Sequence, residues 1–168
     1  MNTISLPVWL TTALVAYKAR LAEFPDLPVS APAAGDFRFC TSPDGKWRRL
    51  VLVCETECLF VRVLLCSPFT EMAAAADYLV KNAMVYDVIV ESDMTMTVWT
   101  WQLDSAPEGR LDESTTALLH SVEYPKEGLT PAGIPARDSR DPRWNWKIAE
   151  FEEVAPLDSD CFQFIMGE

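Results

Sequence analysis

The chain has 168 residues, 49% of them hydrophobic and 23% charged, with a formal net charge of −11. Such a chain buries one core of ordinary size, which excludes an extended disordered protein and predicts a single domain over residues 1–168. No apolar run approaches the ~20 residues of a membrane-spanning helix. Residues 1–14 also lack the basic start and cleavage site of a secretory signal. We therefore expect a cytoplasmic protein without membrane contact.

The negative charge restricts the class of partner. Proteins bind phosphate backbones mainly through lysine and arginine, so the charge of −11 disfavours RNA as a ligand unless a local basic patch exists. Residues 149–168 carry acidic side chains and no basic one: Glu150, Glu152, Glu153, Asp158, Asp160 and Glu168. This segment is either a solvated acidic face or a surface that docks on a basic partner.

Sequence motifs for metals and cofactors are absent. The cysteines are odd in number and lack the spacing of a metal site or a disulfide framework, which predicts reduced thiols. Cys54 and Cys58 flank the short loop 55–57, so they either face each other across a hairpin or are small packed residues. His120 is the sole histidine, which excludes a two-histidine mechanism within one chain. We expect no metal and no cofactor, since glycine-rich nucleotide motifs are also missing.

The N-terminal part has the pattern of a helix followed by a linker. Ser5 is placed to cap a helix within residues 1–24, where apolar residues recur mostly three and four positions apart. Residues 25–35 are rich in proline and small residues, as in a linker. This leaves a β-rich core over residues 36–122 and a C-terminal extension over residues 123–168.

Alternating and apolar runs predict the first strands of the core. Residues 37–40 alternate like a strand, and residues 42–45 contain the proline and glycine of a turn. Residues 47–54 and 58–67 are rich in valine and leucine and are joined by the loop 55–57. They predict an antiparallel hairpin.

A helix is predicted after this hairpin. Pro68 ends the second strand, and residues 69–80 contain an alanine run that favours a helix. Thr70 is placed as the N-cap of that helix.

Two further strands are predicted at residues 86–91 and 95–103. The second of them carries Trp99 and Trp101, which we expect either to pack across a barrel or to lie at an interface. Together with Arg49, these tryptophans are the predicted partner-binding residues.

The remaining elements are short. Asp112 or Ser114 begins a helix, and residues 126–142 form a loop. Residues 142–154 favour either a helix or a strand, and residues 161–166 predict a final buried strand. The helical alternative for 142–154 is supported by apolar residues at helical spacing: Trp144, Ile148, Phe151 and Val154.

Four segments of the core together resemble a known group of proteins. Residues 48–53 start with two arginines and continue as an apolar strand, and residues 64–71 contain Ser-Pro-Phe-Thr. Residues 88–93 read Val-Ile-Val-Glu-Ser-Asp, and residues 109–113 read Gly-Arg-Leu-Asp-Glu. This pattern, within residues 47–122, resembles the MazF/PemK/CcdB superfamily of bacterial toxins. The resemblance implies an α+β fold, with a curled antiparallel β-sheet or SH3-like β-barrel and short helices. It also implies a dimeric growth inhibitor whose partner is an antitoxin or another protein.

The resemblance implies a set of catalytic residues. In the ribonucleases of this superfamily, a threonine or serine and an arginine promote attack of an RNA 2′-hydroxyl on its own phosphodiester. Thr70 matches the hydroxyl, Arg48 the arginine, and Asp93 an acidic residue that orients the arginine or shapes a dimer contact. Arg49 is the second candidate, because Trp47-Arg48-Arg49 stands where the superfamily usually has Arg-Pro.

Simpler interpretations exist for the same residues. Thr70 can be a helix N-cap and Asp93 a turn residue. The two arginines can form surface ion pairs with Asp44 or Glu55.

Two classes of function stay open on the sequence. The first is a PemK/MazF-like growth inhibitor, which either cleaves RNA as an endoribonuclease or, with cleavage degenerate or absent, poisons a protein target. The negative charge favours the second mechanism. The alternative class is a non-enzymatic acidic binding or inhibitor protein from a mobile element or phage. Fold analogy does not decide between them.

Overall fold

A computed structural model describes residues 30–84, 86–122, 126–132 and 140–166, with side chains as far as residue 155. The strands are β1 (Asp36–Thr41), β2 (Arg48–Thr56), β3 (Phe60–Ser67), β4 (Asp77–Val80), β5 (Val88–Trp99), β6 (Gly109–Arg110) and β7 (Thr130–Pro131). The helices are α1 (Glu113–His120) and α2 (Pro142–Met166), and 3₁₀ turns lie at Thr70–Met72 and Thr100–Gln102. The helix predicted within residues 1–24 lies outside the described residues.

The strands form one antiparallel sheet in the order β6-β1-β2-β3-β5-β4-β7, curled into a half-barrel. The predicted hairpin is confirmed, because β2 and β3 pair in antiparallel register with Leu50 opposite Cys66. The predicted first strand and turn are confirmed as well, and Gly45 in that turn has a φ of 71°. The α+β class with a curled antiparallel sheet and short helices is therefore confirmed.

Both faces of the sheet carry a core. Successive residues of a strand point to opposite faces, so the continuous apolar run in β2 serves two cores at once. Leu52 belongs to the same buried cluster as Leu119 of α1, whereas Val53 belongs to the same buried cluster as Val154 of α2. Each helix thus covers one face of the sheet.

The helix predicted for residues 69–80 is wrong. This segment forms only the 3₁₀ turn and then runs into β4. The residue before the turn is Phe69, and no side chain caps the turn, so the N-cap role predicted for Thr70 is wrong too. Tyr78 supplies the reason: it is 1% exposed and pairs with Val90 of β5. Burial of a tyrosine and a strand ladder outweigh the small helix preference of an alanine run.

The strand β5 joins two strands that the sequence predicts separately. Its register against β3 jumps from Glu91 to Thr95, so residues 92–94 form a bulge instead of a connecting loop. The strand ends at Trp99, earlier than predicted. After the 3₁₀ turn, Leu103 forms a β-bridge with β1.

The start of α1 agrees with the sequence. Asp112 is its N-cap and accepts a hydrogen bond of 2.9 Å from the backbone N–H of Thr115. Neither α1 nor α2, the helices in the described ranges, combines the length and the apolar composition that a membrane-spanning helix needs.

The helix interpretation of residues 142–154 is confirmed, and the strand alternative is wrong. Asp141 precedes the helix and accepts a 3.0 Å hydrogen bond from the backbone N–H of Arg143. The strand predicted for residues 161–166 is also wrong, because α2 continues to Met166. Extending a helix that has already formed costs less than starting a new element.

Candidate functional site

The side chain of Arg48, the first candidate arginine, turns toward β1. Its guanidinium is 2.5 Å from Asp104 Oδ2 and 3.9 Å above the ring centre of Phe39. Phe39 lies on β1, and its carbonyl accepts a hydrogen bond from the backbone N–H of Asp104. Both contacts of Arg48, with Asp104 and with Phe39, therefore lie on the β1 side of β2. Thr70 follows β3, on the other side of β2. Arg48 therefore points away from Thr70.

Thr70 is an exposed residue of the 3₁₀ turn that follows β3. Its backbone N–H donates to Pro68 O at 3.1 Å, and its carbonyl accepts from Ala73 at 3.3 Å. No described residue forms a hydrogen bond with its hydroxyl. The structure thus keeps Thr70 near the end of β3, as the sequence predicts, but does not bring Arg48 to it.

Asp93 lies in the bulge of β5 and is exposed. Its carboxylate is close enough to Asp77 to affect that residue: burial raises the pKa of Asp77, and Asp93 adds to the rise. The neighbouring Ser92 donates its hydroxyl hydrogen to Ala76 O at 2.7 Å, which ties the bulge to the segment before β4. Asp93 pairs with no arginine of the described residues.

Arg49, the second candidate, points to the face of the sheet that α2 covers. Its Nη2 is 2.6 Å from Glu153 Oε2, and its guanidinium carbon is 5.8 Å from the ring centre of Trp146. The same tryptophan contacts Phe69 edge to face, with ring centres 5.9 Å apart. Trp146 of α2 therefore contacts both Arg49 and the residue that precedes Thr70.

The sequence predicts Asp44 or Glu55 as the ion-pair partners of Arg48 and Arg49, and this prediction is wrong. Asp44 pairs with Lys46, and Glu55 pairs with Arg62. Both candidate arginines are nevertheless paired with carboxylates, which compete with any phosphate for the guanidinium groups.

The two predicted interface tryptophans differ in exposure. Trp99 is 3% exposed and stacks on Phe60, with ring centres 4.4 Å apart. Trp101 lies in the following 3₁₀ turn and is half-buried. Trp99 thus packs within the molecule, and Trp101 is the more accessible of the two.

Three buried carboxyl groups and one lysine meet between α2 and the sheet. Lys147 Nζ donates to Asp77 Oδ1 at 2.9 Å and to Glu91 Oε2. Asp77 and Glu91 face each other across the β4–β5 ladder, and both are 0% exposed. Glu150, almost one helical turn after Lys147, is also buried. We call Asp77, Glu91, Lys147 and Glu150 the lysine–carboxylate cluster.

The lysine–carboxylate cluster holds more carboxyl groups than cations. Glu150 lies close enough to Glu91 and Trp146 for both to act on its pKa, and among the described residues Lys147 is bound only to Asp77 and Glu91. Burial raises the pKa of Glu91 to about 8; Lys147 opposes this rise and Glu150 adds to it. Burial also raises the pKa of Glu150. Burial lowers the pKa of Lys147, but Glu91 and Asp77 raise it by more. At neutral pH we therefore expect Glu91 to keep its proton.

The lysine–carboxylate cluster attaches α2 to the sheet and does not form an open active site. The side chains of Asp77 and Glu91 have no exposed surface, so a substrate cannot reach them. Shifted pKa values occur in active sites and in buried ion-pair networks alike, and the closed geometry favours the second case. Within the described ranges, no group of histidine, cysteine, aspartate and glutamate side chains can hold a metal ion.

A different buried ion pair lies on β1. Arg38 is 1% exposed and donates to Asp36 Oδ2 through Nε at 3.1 Å and through Nη2 at 2.8 Å. Its remaining hydrogen bonds go to the hydroxyl of Ser30 and to the carbonyls of Ser30, Ala31 and Asp104. Every nitrogen of this guanidinium thus has an acceptor. Arg38 thus binds two segments to the sheet: Ser30 and Ala31 before β1, and Asp104 after the second 3₁₀ turn.

One side of α2 carries three exposed apolar side chains. Trp144, Ile148 and Phe151 are 49%, 43% and 60% exposed. Steps of four and three residues place them on one side of a helix, and we call them the outer stripe. The sequence groups Val154 with them by spacing, but Val154 is 6% exposed and packs on the sheet.

No protein-family model matches this chain, and no curated protein matches it significantly.

Proposed function

We propose that this protein is a cytoplasmic growth inhibitor of the MazF/PemK/CcdB type that binds a protein partner and does not cleave RNA. The curled antiparallel sheet supports this kinship, because three motifs of the resemblance lie on or next to its strands and the fourth leads into α1. Ser67 ends β3 just before Pro68, residues 88–90 lie in β5, and residues 109–112 lead through β6 into α1. Asp93 differs from the superfamily pattern, because it lies within β5 and does not follow a strand.

The orientation of Arg48 is the observation that supports the absence of RNA cleavage in this proposal. Its guanidinium is bound to Asp104 and stacked on Phe39, on the side of β2 away from Thr70. A cation that stabilises the phosphorane-like charge must lie within hydrogen-bond distance of the reacting phosphate. An arginine turned away from the hydroxyl cannot share one phosphate with it.

Arg49 does not replace Arg48 in this role. It is on the face covered by α2, where Glu153 binds its guanidinium and Trp146 lies beside it. A phosphate at this position would meet the carboxylates of Glu153 and, behind it, of the lysine–carboxylate cluster, which repel an anion.

An RNA-cleavage assay tests this part of the proposal. Purified protein is incubated with single-stranded RNA beside the variants Arg48→Ala, Arg49→Ala and Thr70→Ala. We expect intact RNA in all samples. Cleavage by the wild type that is lost in Arg48→Ala and Thr70→Ala would show a working ribonuclease.

Induced expression in a bacterium tests the growth-inhibitor part. We expect the wild type to stop growth, and Arg48→Ala and Thr70→Ala to stop it equally, because binding does not require these two side chains to act together. Normal growth in the presence of folded protein would contradict the proposal.

A second candidate function is that of a non-enzymatic acidic binding or inhibitor protein from a mobile element or phage. The net charge of −11 and the carboxylate-paired arginines favour it. A folded protein that leaves growth unchanged, and that retains a basic partner in low salt but releases it in high salt, would identify this candidate.

A further inference from the structure

We propose that the outer stripe of α2 is a docking surface for a basic amphipathic helix of the partner protein. This inference rests on the proposed partner-binding function and names the surface that would carry it. The stripe consists of Trp144, Ile148 and Phe151, whose exposed fractions are 49%, 43% and 60%.

The stripe belongs to a helix whose adjacent side is already anchored to the sheet. Lys147 is bound to Asp77 and Glu91, and Val154 is buried in the core beneath α2. The helix therefore presents its outer side chains from a fixed position. A surface that is ordered before binding loses little conformational entropy when a partner docks.

The spacing of the stripe fits a second helix. Trp144, Ile148 and Phe151 follow steps of four and three residues, and the half-buried Ala155 continues the pattern by four. These are the alternating core positions of a heptad, and side chains at such positions pack into the spaces between side chains of a neighbouring helix. An amphipathic helix with apolar residues at the same spacing is the matching shape.

The charges next to the stripe indicate that the partner's helix is positively charged. Glu152 is exposed on α2 and occupies the heptad position that flanks the core, whereas the neighbouring Glu153 is paired with Arg49. The two basic side chains, Arg143 and Lys147, are bound to Asp141 and to the lysine–carboxylate cluster respectively. The exposed border is therefore acidic, and complementary lysine or arginine residues favour a partner over its competitors.

The same charges disfavour a second copy of this chain. Each copy carries a net charge of −11, and an exposed Glu152 flanks the stripe in each copy. Like charges at an interface cost free energy and select against that pairing.

Synthetic helical peptides can test this surface directly. One fluorescein-labelled peptide has leucine at the core positions of each heptad and lysine at the flanking positions, and a second peptide has glutamate in place of lysine. Binding is measured by fluorescence anisotropy in low salt. We expect the lysine peptide to bind at least about tenfold more tightly than the glutamate peptide, with the difference shrinking as salt is added.

Three variants assign the binding to the stripe. Ile148→Glu combined with Phe151→Glu should abolish binding of the lysine peptide, and Glu152→Lys should reduce the preference for lysine over glutamate. Leu59→Glu combined with Val122→Glu is the matched control, because both residues are exposed apolar side chains that do not belong to α2. The control should bind like the wild type. Circular dichroism verifies that each variant is folded.

Several results would overturn the proposal. One is equal affinity for the two peptides; another is unchanged binding after the Ile148 and Phe151 substitutions. A third is self-association of the wild type in sedimentation experiments that these substitutions abolish, since a second copy would then be the occupant. Growth arrest that persists in the Ile148→Glu, Phe151→Glu variant would show that growth inhibition does not require the stripe. Peptide binding as expected in a protein that leaves growth unchanged would instead contradict the growth inhibitor and support the docking surface.

Discussion

The two buried ionic groups of this protein differ in how completely their charges are matched. Arg38 and Asp36 form a closed set together with Arg110, whose Nε is 3.3 Å from Asp36 Oδ1, and each guanidinium nitrogen of Arg38 has an acceptor. The side chains of Arg38 and Asp36 are 1% and 3% exposed. The lysine–carboxylate cluster sets one ammonium group against three carboxyl groups, and the ammonium group is bound to only two of them.

The comparison shows that a buried ionic group can either stay charged and hold two segments together or exchange protons with pH. Burial alone does not determine which of the two occurs. Burial costs free energy in both places, and matched hydrogen bonds offset that cost only in the first. In the second, we expect the surplus carboxyl to hold a proton, because burial raises its pKa. We therefore expect the attachment of α2 to depend on pH, and the attachment made by Arg38 to depend on packing and hydrogen bonds.

Replacing Arg38 should have the largest effect. Arg38→Met removes all hydrogen bonds of the guanidinium and leaves the buried Asp36 with Arg110, at 3.3 Å, as its remaining cation. We therefore expect a loss of ~3–5 kcal/mol in the free energy of unfolding. Chemical denaturation measures this loss. A variant as stable as the wild type would show that the closed set does not hold β1 in place.

Replacing Lys147 should cost less. Lys147→Met leaves Asp77, Glu91 and Glu150 without their cation, but these carboxyl groups can take up protons, so we expect a loss of about 2–4 kcal/mol near neutral pH. The control is Glu153→Gln, which breaks the partly exposed pair with Arg49 and should change stability by ~0–1 kcal/mol. Equal effects of the two substitutions in urea unfolding would contradict the role of Lys147 in the buried cluster.

The pH dependence of Glu91 should be the smallest of these effects and the most specific. Its pKa is raised from 4.5 to about 8 in the folded state, so between these values the folded protein binds more protons than the unfolded chain. Stability contributed by this group therefore falls as pH rises through this window and is constant above it. The raised pKa values of Asp77 and Glu150 act in the same direction, whereas that of Lys147 matters only above its ordinary value of 10.5.

Glu91→Gln removes this dependence while keeping the shape of the side chain. Relative to the wild type, we expect the variant to gain roughly 1–3 kcal/mol as pH is raised through the window. Thermal unfolding at several pH values measures the difference. A wild type and a variant with parallel pH profiles would show that Glu91 does not titrate in the cluster.

The part of the fold that follows from the sequence is the part governed by local patterns. β1, the β2–β3 hairpin and α1 are predicted by alternation, turn residues and the Asp112 cap, all of which act within a few residues. The segment of β4 is misread because its alanines favour a helix, while its strand form is fixed by burial of Tyr78 and by pairing with β5. Contacts made by residues distant in sequence outweigh local preference there.

The ionic groups are beyond what the sequence pattern can predict. Lys147 is separated by 70 residues from Asp77 and by 56 from Glu91, and Arg38 reaches Asp104 across 66 residues. A local signal exists only on α2, where Lys147, Glu150 and Val154 recur at helical spacing. That spacing shows that the three residues share one face of the helix. It does not show that Asp77 and Glu91 lie opposite this face on the sheet.

The ends of the sheet bear on how this protein behaves at high concentration. Its outermost strands, β6 and β7, have two residues each, and Pro131 in β7 has no backbone N–H to offer. A strand from another molecule needs a longer row of free donors and acceptors to attach. These two edges of the sheet are therefore poor templates for fibril growth.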